Sequence, residues 1–151
     1  MLNTSKTLDQ FYTNPKISKR FVAKIDEIFD LSSFDKIIEP SMGEGFIYNE
    51  LPVANRIGLD IEKNHPDCLE GNFLEWCPEK SGMTYEPLFH PLPRILFVGN
   101  PPFGKNSSLA IEFFEHAAKY SDDICFIIPK SWSKYTTQRR LPLDFGLYFE
   151  A

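Results

Sequence analysis

The run Ile95-Leu96-Phe97-Val98-Gly99-Asn100-Pro101-Pro102-Phe103-Gly104 constrains this chain more than any other stretch. Four of its first five residues are apolar, with Phe and Val among them, so a short buried strand is expected over 95–99. Two consecutive prolines follow, and neither can donate to a sheet ladder, so the strand stops there. A rigid polar tip is left at the carboxyl end of a strand, the place where open α/β sheets put their chemistry. A plain turn leaving a strand would need only the two prolines and would leave Asn100 and Phe103 without a reason.

Those residues suit one kind of substrate. An amino group conjugated to an aromatic ring is a poor nucleophile, because its lone pair is delocalised into the ring. Two acceptors placed on its two N–H groups localise that pair. Asn100 offers a side-chain carbonyl and Pro101 a main-chain one, while the rings of Pro101 and Pro102 fix the loop. An amide does this without a net charge that needs neutralising. Phe103 adds a flat face for stacking. The tetrapeptide therefore fits the activation of a planar, conjugated amine.

Elements before and after this run alternate. Asn14 or Thr13 ahead of Pro15 is a helix start, and Phe21, Val22, Ile25, Ile28 and Phe29 recur at helical spacing to 29. A first strand is expected over 35–40, ended by Pro40, then a turn at Ser41-Met42-Gly43-Glu44-Gly45 and a short helix from Phe46. The glycines let the backbone approach a ligand closely. Tyr48 stands where the dinucleotide fingerprint needs its third glycine, and Glu39 before the turn would repel a pyrophosphate and suit an ammonium group. Taken alone, this Gly-x-Gly is equally a plain tight turn.

A second strand over 56–62 carries Asp60 near its end, seventeen positions after Gly43. A carboxylate there can accept both hydroxyls of a ribose, or it is a solvated strand end. A short third strand in 68–76 brings Asn72, able to bond an adenine edge, and Phe73, either a cover for that ring or a core residue. Residues 77–93, with four prolines, read as a long surface loop. Ser107 or Ser108 caps a helix running to Lys119, a strand follows over 124–129, and Leu147-Tyr148-Phe149 begins a last one. The expected fold is α/β: a Rossmann-like, doubly wound, mainly parallel sheet with helices on both faces, in one domain over 1–151. Strands one to four would then gather Glu39, Asp60, Asn72 and Asn100 along one edge.

Composition narrows the setting. With 42% apolar and 15% aromatic residues, the 151-residue chain can bury a full core without metals or disulfides. Three cysteines without CxxC spacing fit reduced thiols in the cytoplasm, and the three histidines show no metal-ligand spacing. No apolar run reaches membrane-spanning length. A net charge of −5 makes the chain a poor stand-alone binder of duplex nucleic acid, so another domain or subunit is expected to supply positive surface.

With these residues in hand, the chain resembles the class I S-adenosyl-L-methionine-dependent methyltransferases of the amino-methylating kind. Glu39-Pro40-Ser41-Met42-Gly43-Glu44-Gly45 is similar to the family's cofactor loop, and Asn100-Pro101-Pro102-Phe103 to its catalytic tetrapeptide. Gln10-Phe11-Tyr12-Thr13-Asn14-Pro15, placed ahead of both, resembles the leading motif of the gamma-type adenine-specific DNA methyltransferases. The resemblance implies that Tyr12, Thr13, Glu39, Pro40, Met42, Gly43 and Gly45 surround the methionine end of the cofactor. It implies that Asp60 takes the ribose hydroxyls, that Ile61 and Phe73 flank the adenine, and that Asn72 stands where the family usually has aspartate. Asn100 and Pro101 would hold the target amine, which attacks the sulfonium methyl directly, and Phe103 would stack on the target base.

The family's sheet ordinarily closes with a strand hairpin, of which this sequence carries the first strand only, and no target-recognition segment is recognised. The implied function is methyl transfer to the exocyclic amine of adenine in DNA, or in RNA, with nucleic acid as partner and no metal or membrane. Two alternatives stand beside it: methylation of a protein glutamine, and a non-catalytic cofactor-binding subunit of a split enzyme.

Overall fold

Residues 13–86, 88 and 91–142 are described by the computed structural model. Tyr12, the start of the leading motif and the strand expected at 147–149 lie outside the described residues. Five strands form: β1 (Lys36–Glu39), β2 (Arg56–Asp60), β3 (Leu69–Glu70), β4 (Ile95–Gly99) and β5 (Asp123–Phe126). They make one sheet in the order β3-β2-β1-β4-β5, with every neighbouring pair parallel. The expected doubly wound α/β fold is therefore present. Its central strands are β1 and β4, in register with Lys36 opposite Ile95 and Ile38 opposite Phe97.

All five residues of β4 are buried, as a parallel strand covered on both faces requires. Alternate side chains serve the two faces. Ile37 of β1 and Leu96 and Val98 of β4 pack with Val22 and Ile25 of helix α1 (Pro15–Phe29). Ile38, Ile95 and Phe97 pack on the opposite face with Phe113 and Ala117 of helix α2 (Ser108–Ala118). Each such aliphatic or aromatic side chain contributes about 1.5–3 kcal/mol on burial. One helix thus covers each face.

Helix α1 begins where the sequence indicates. Asn14 Oδ1 accepts from Lys16 N (2.8 Å) and Pro15 fills the first turn, where its missing N–H costs nothing. Helix α2 starts at Ser108, but Ser107 at its cap position has φ 60° and makes no capping bond through its side chain.

Three expectations need correction. The helix expected from Phe46 is a single 3₁₀ turn, Tyr48–Glu50, because Pro52 forces Leu51 into extended backbone (ψ 154°). The loop over 77–93 is packed down in part: Pro78–Ser81 forms a 3₁₀ turn, and Pro78 and Met83 are buried. The last described strand is shorter than 124–129, since its partner β4 ends at Gly99, whose carbonyl takes one more bond from Ile127 N (2.8 Å). Beyond it lie a 3₁₀ turn, Lys130–Ser133, and a short helix α3 (Tyr135–Gln138), neither expected from the pattern. No helix among the described residues is long and apolar enough to cross a membrane.

Candidate active site

At the carboxyl ends of β1, β2 and β4 the sheet opens into a cleft of about 280 Å³. That is close to the lower end of small-molecule sites, roughly 300–1,000 Å³. The cleft lies where the chain order reverses between β1 and β4, the switch point at which neighbouring crossovers leave in opposite directions. Glu39, Asp60, Asn72 and Asn100 all line it. Four positions spread over sixty residues of sequence meet in one hollow.

Glu39 ends β1 with 2% of its surface exposed, and its Oε2 has no hydrogen-bond partner. Burial drives its carboxyl well above the ordinary value, the nearby Asp60 carboxylate adds to the rise, and a backbone bond at Tyr48 works against it. An acid left in this state calls for a donor or a cation from outside the chain.

Asp60 is arranged differently. Its Oδ2 accepts from Gly43 N (2.8 Å) and its Oδ1 from Glu62 N (3.1 Å), so the carboxylate pins the glycine turn to the end of β2. Each oxygen keeps a second lone pair, enough for a pair of ligand hydroxyls. Gly43 adopts φ 52°, within the left-handed region that a side chain would strain.

The remaining cofactor-loop candidates divide. Thr13, Pro40, Met42 and Gly43 border the cleft, as do Ile61 and Phe73. Ile61 is half exposed, an apolar side chain at the rim. Phe73 is both wall and core: its ring contacts Trp76, Phe97, Phe113 and His116 while one side reaches the hollow. Asn72 Oδ1 already accepts from Leu74 N (3.0 Å), which starts the turn Phe73–Glu75. Gly45 is not among the lining residues; a Cβ there would come within 2.6 Å of His65 Cδ2, and its φ of 84° lies in the left-handed region, so ring packing and backbone both call for glycine.

The tetrapeptide divides too. Asn100 and Pro102 line the cleft, Pro101 is fully buried behind them, and Phe103 packs half-buried against the cluster of Ala110, Ile111 and Trp132. Asn100 Nδ2 donates to Thr13 Oγ1 (3.2 Å), and Ser41 Oγ donates to the Asn100 carbonyl (3.2 Å). The segment before α1, the glycine turn and the tetrapeptide are thereby tied together.

Sequence reasoning missed several contributors. Ser41 sat unremarked inside the turn. Leu109 and Phe113, four apart on α2, present one face to the cleft, a spacing visible in the sequence. Gly58 is the least obvious: a Cβ there would overlap Met42 Sδ and lie 3.1 Å from Tyr48 Cδ2. Among the described residues no group of three His, Cys, Asp or Glu could hold a metal ion.

The sequence matches no protein-family model and no curated protein. Its structure is similar to that of PH1948 from Pyrococcus horikoshii, a candidate RNA methyltransferase, with a TM-score of 0.58 and 13% identity over 88% of this chain and 72% of that one. The fold is shared. At that identity the likeness is one of architecture alone.

Proposed function

We propose that the chain is an S-adenosyl-L-methionine-dependent methyltransferase acting on the exocyclic amine of adenine in nucleic acid. The observation that carries this reading is the convergence of Glu39, Asp60 and Asn100 on one cleft at the switch point of the sheet. The residues present fit the cofactor. Glu39, buried with an unmatched oxygen, suits an ammonium; Asp60 suits a ribose diol; Ile61 and Phe73 offer apolar sides for an adenine. Two acids beside the glycine turn, and a single 3₁₀ turn where a phosphate site would want a helix N-terminus, argue against a nucleotide phosphate.

When bound, the cofactor supplies an electrophilic methyl group on a sulfonium. The chain's own part is to hold and activate the amine. Asn100 Oδ1, at the cleft, would accept one of its N–H groups and draw its lone pair out of the ring, with the amide steadied by Thr13; the Pro101 carbonyl would take the second only if the buried Pro101 turns toward the cleft. The amine, once substituted, gives up a proton to solvent.

DNA and RNA both present the amine; the description of the structural neighbour as an RNA methyltransferase candidate keeps RNA in the comparison. Calorimetric titration with S-adenosylhomocysteine tests the cofactor site, and transfer of a labelled methyl group to adenine-containing DNA and RNA strands tests the chemistry. Cofactor binding without transfer to any strand refutes the substrate assignment; absence of cofactor binding refutes the reading altogether.

A further inference from the structure

The chain as a whole is acidic, with 16 basic and 21 acidic residues, yet residues 130–140 hold Lys130, Lys134, Arg139 and Arg140 and no acid. This segment leaves the carboxyl end of β5, the strand next to β4, so it emerges on the same edge of the sheet as Asn100. Two contacts seat it there. Trp132 is buried in the cluster that also holds Phe103, and Arg140 Nη1 donates to the Asn106 carbonyl (3.0 Å), just past the tetrapeptide.

All four cations are exposed, as is Lys105 beside them. None of the five forms an ion pair among the described residues. Five cations without an ion-pair partner among the described residues, on one rim of an acidic protein, form an electrostatic footprint aimed at an anion. Tyr135, 78% exposed in the midst of them, presents an aromatic face to solvent.

We propose that this rim is the chain's own footing for an unpaired nucleic-acid strand. Lys105, Lys130, Lys134 and Arg139 hold phosphates flanking the target base, and Tyr135 stacks on a neighbouring base. Cation and aromatic ring together are the pairing that single strands use. The positive surface that net charge seemed to deny is local, beside the tetrapeptide. The proposal rests on the methyltransferase reading for the meaning of the site, but it is measured separately from it.

The test is fluorescence anisotropy of a labelled twelve-nucleotide strand against the full chain over a range of salt concentrations, with S-adenosylhomocysteine titrated in parallel. A single-strand phosphate contact contributes about 0.7 to the slope of log affinity against log salt. Combining Lys130→Glu, Lys134→Glu and Arg139→Glu is therefore expected to lower the slope by about two and the affinity about 100-fold at 0.1 M salt. S-adenosylhomocysteine binding should stay unchanged. Should the triple variant fail to fold, Lys134→Glu and Arg139→Glu singly are each expected to cost about fivefold.

Strand affinity unchanged in the variants, or absent in the unsubstituted chain, overturns the proposal whether or not the cofactor binds. Poly-glutamate competing as well as unlabelled strand at equal charge would assign the rim to an acidic protein partner, and duplex binding tighter than the strand would remove Tyr135 from its role; either overturns it. Loss of S-adenosylhomocysteine binding with salt-dependent strand binding intact would instead refute the methyltransferase reading and leave the rim standing.

Discussion

Replacing Glu39 with Gln should raise the stability of the ligand-free protein, and the gain should grow with pH. Glu39 is buried with one oxygen unmatched, and its carboxyl is held well above its ordinary value of 4.5, mainly by burial. Below that value both folded and unfolded chains carry the neutral acid, and its ionisation adds no cost. As pH rises past it, the unfolded chain ionises while the folded one keeps its proton, so stability falls until the folded-state value is reached. Each pH unit of that interval costs about 1.4 kcal/mol, which sets a ceiling of about 3.5 kcal/mol at pH 7. Gln removes the ionisation from both states. In a domain of this size about 1 kcal/mol moves Tm by roughly 2–4 °C, so the variant should melt up to roughly 7–14 °C higher at pH 7 and level with the parent at pH 4. Calorimetric melting across that range is the assay. A gap that does not change with pH, or a variant less stable at neutral pH, would refute the argument. Adding S-adenosylhomocysteine should reverse the order, because the parent alone can offer the ammonium a charge.

Asn100→Ala should lower methyl transfer about 100-fold or more with little change in S-adenosylhomocysteine affinity, since it removes the acceptor proposed for the reacting amine; turnover and calorimetry separate the two, and equal losses in both would argue against the role. Gly58→Ala should cost about 1–3 kcal/mol and weaken cofactor binding, because the added methyl meets Met42 and Tyr48 and pushes the glycine turn; a melt at the parental temperature would contradict it. Cys125, whose thiol is pushed up to about 12 by burial, with Asp123 adding to the rise, should resist a thiol reagent at pH 8 until the protein unfolds; rapid labelling in the folded state, mapped by peptide mass, would show otherwise.

Much of the architecture was legible because its signals are local. Helix α1 shows both its cap and its apolar period in sequence, and β4 is delimited by apolar run and prolines. The hollow was legible in part for another reason: Glu39 and Asp60 end strands, Asn100 directly follows one, and parallel strands bring their carboxyl ends to one edge. What escaped depends on contacts between distant positions. Nothing near Gly45 announces His65, twenty residues on, and nothing near Phe103 announces Trp132. The 3₁₀ turn after the glycines is a different case: Pro52 cuts the helix start short through its immediate neighbour Leu51, a local signal that apolar periodicity does not register. The basic rim was hidden by averaging: net charge over the whole chain conceals its distribution.

The pairing of β1 with β4 also decides how the molecule can be divided. A cut between Gly82 and Arg94 would leave β3, β2 and β1 with Glu39 and Asp60 on one fragment, and β4, β5 and Asn100 on the other. Neither fragment would hold a whole hollow, and the seam between them would run down the middle of the sheet. Rejoining would have to rebuild the β1–β4 ladder and the reaction centre in the same event, so that fragment complementation and catalysis would be one and the same signal.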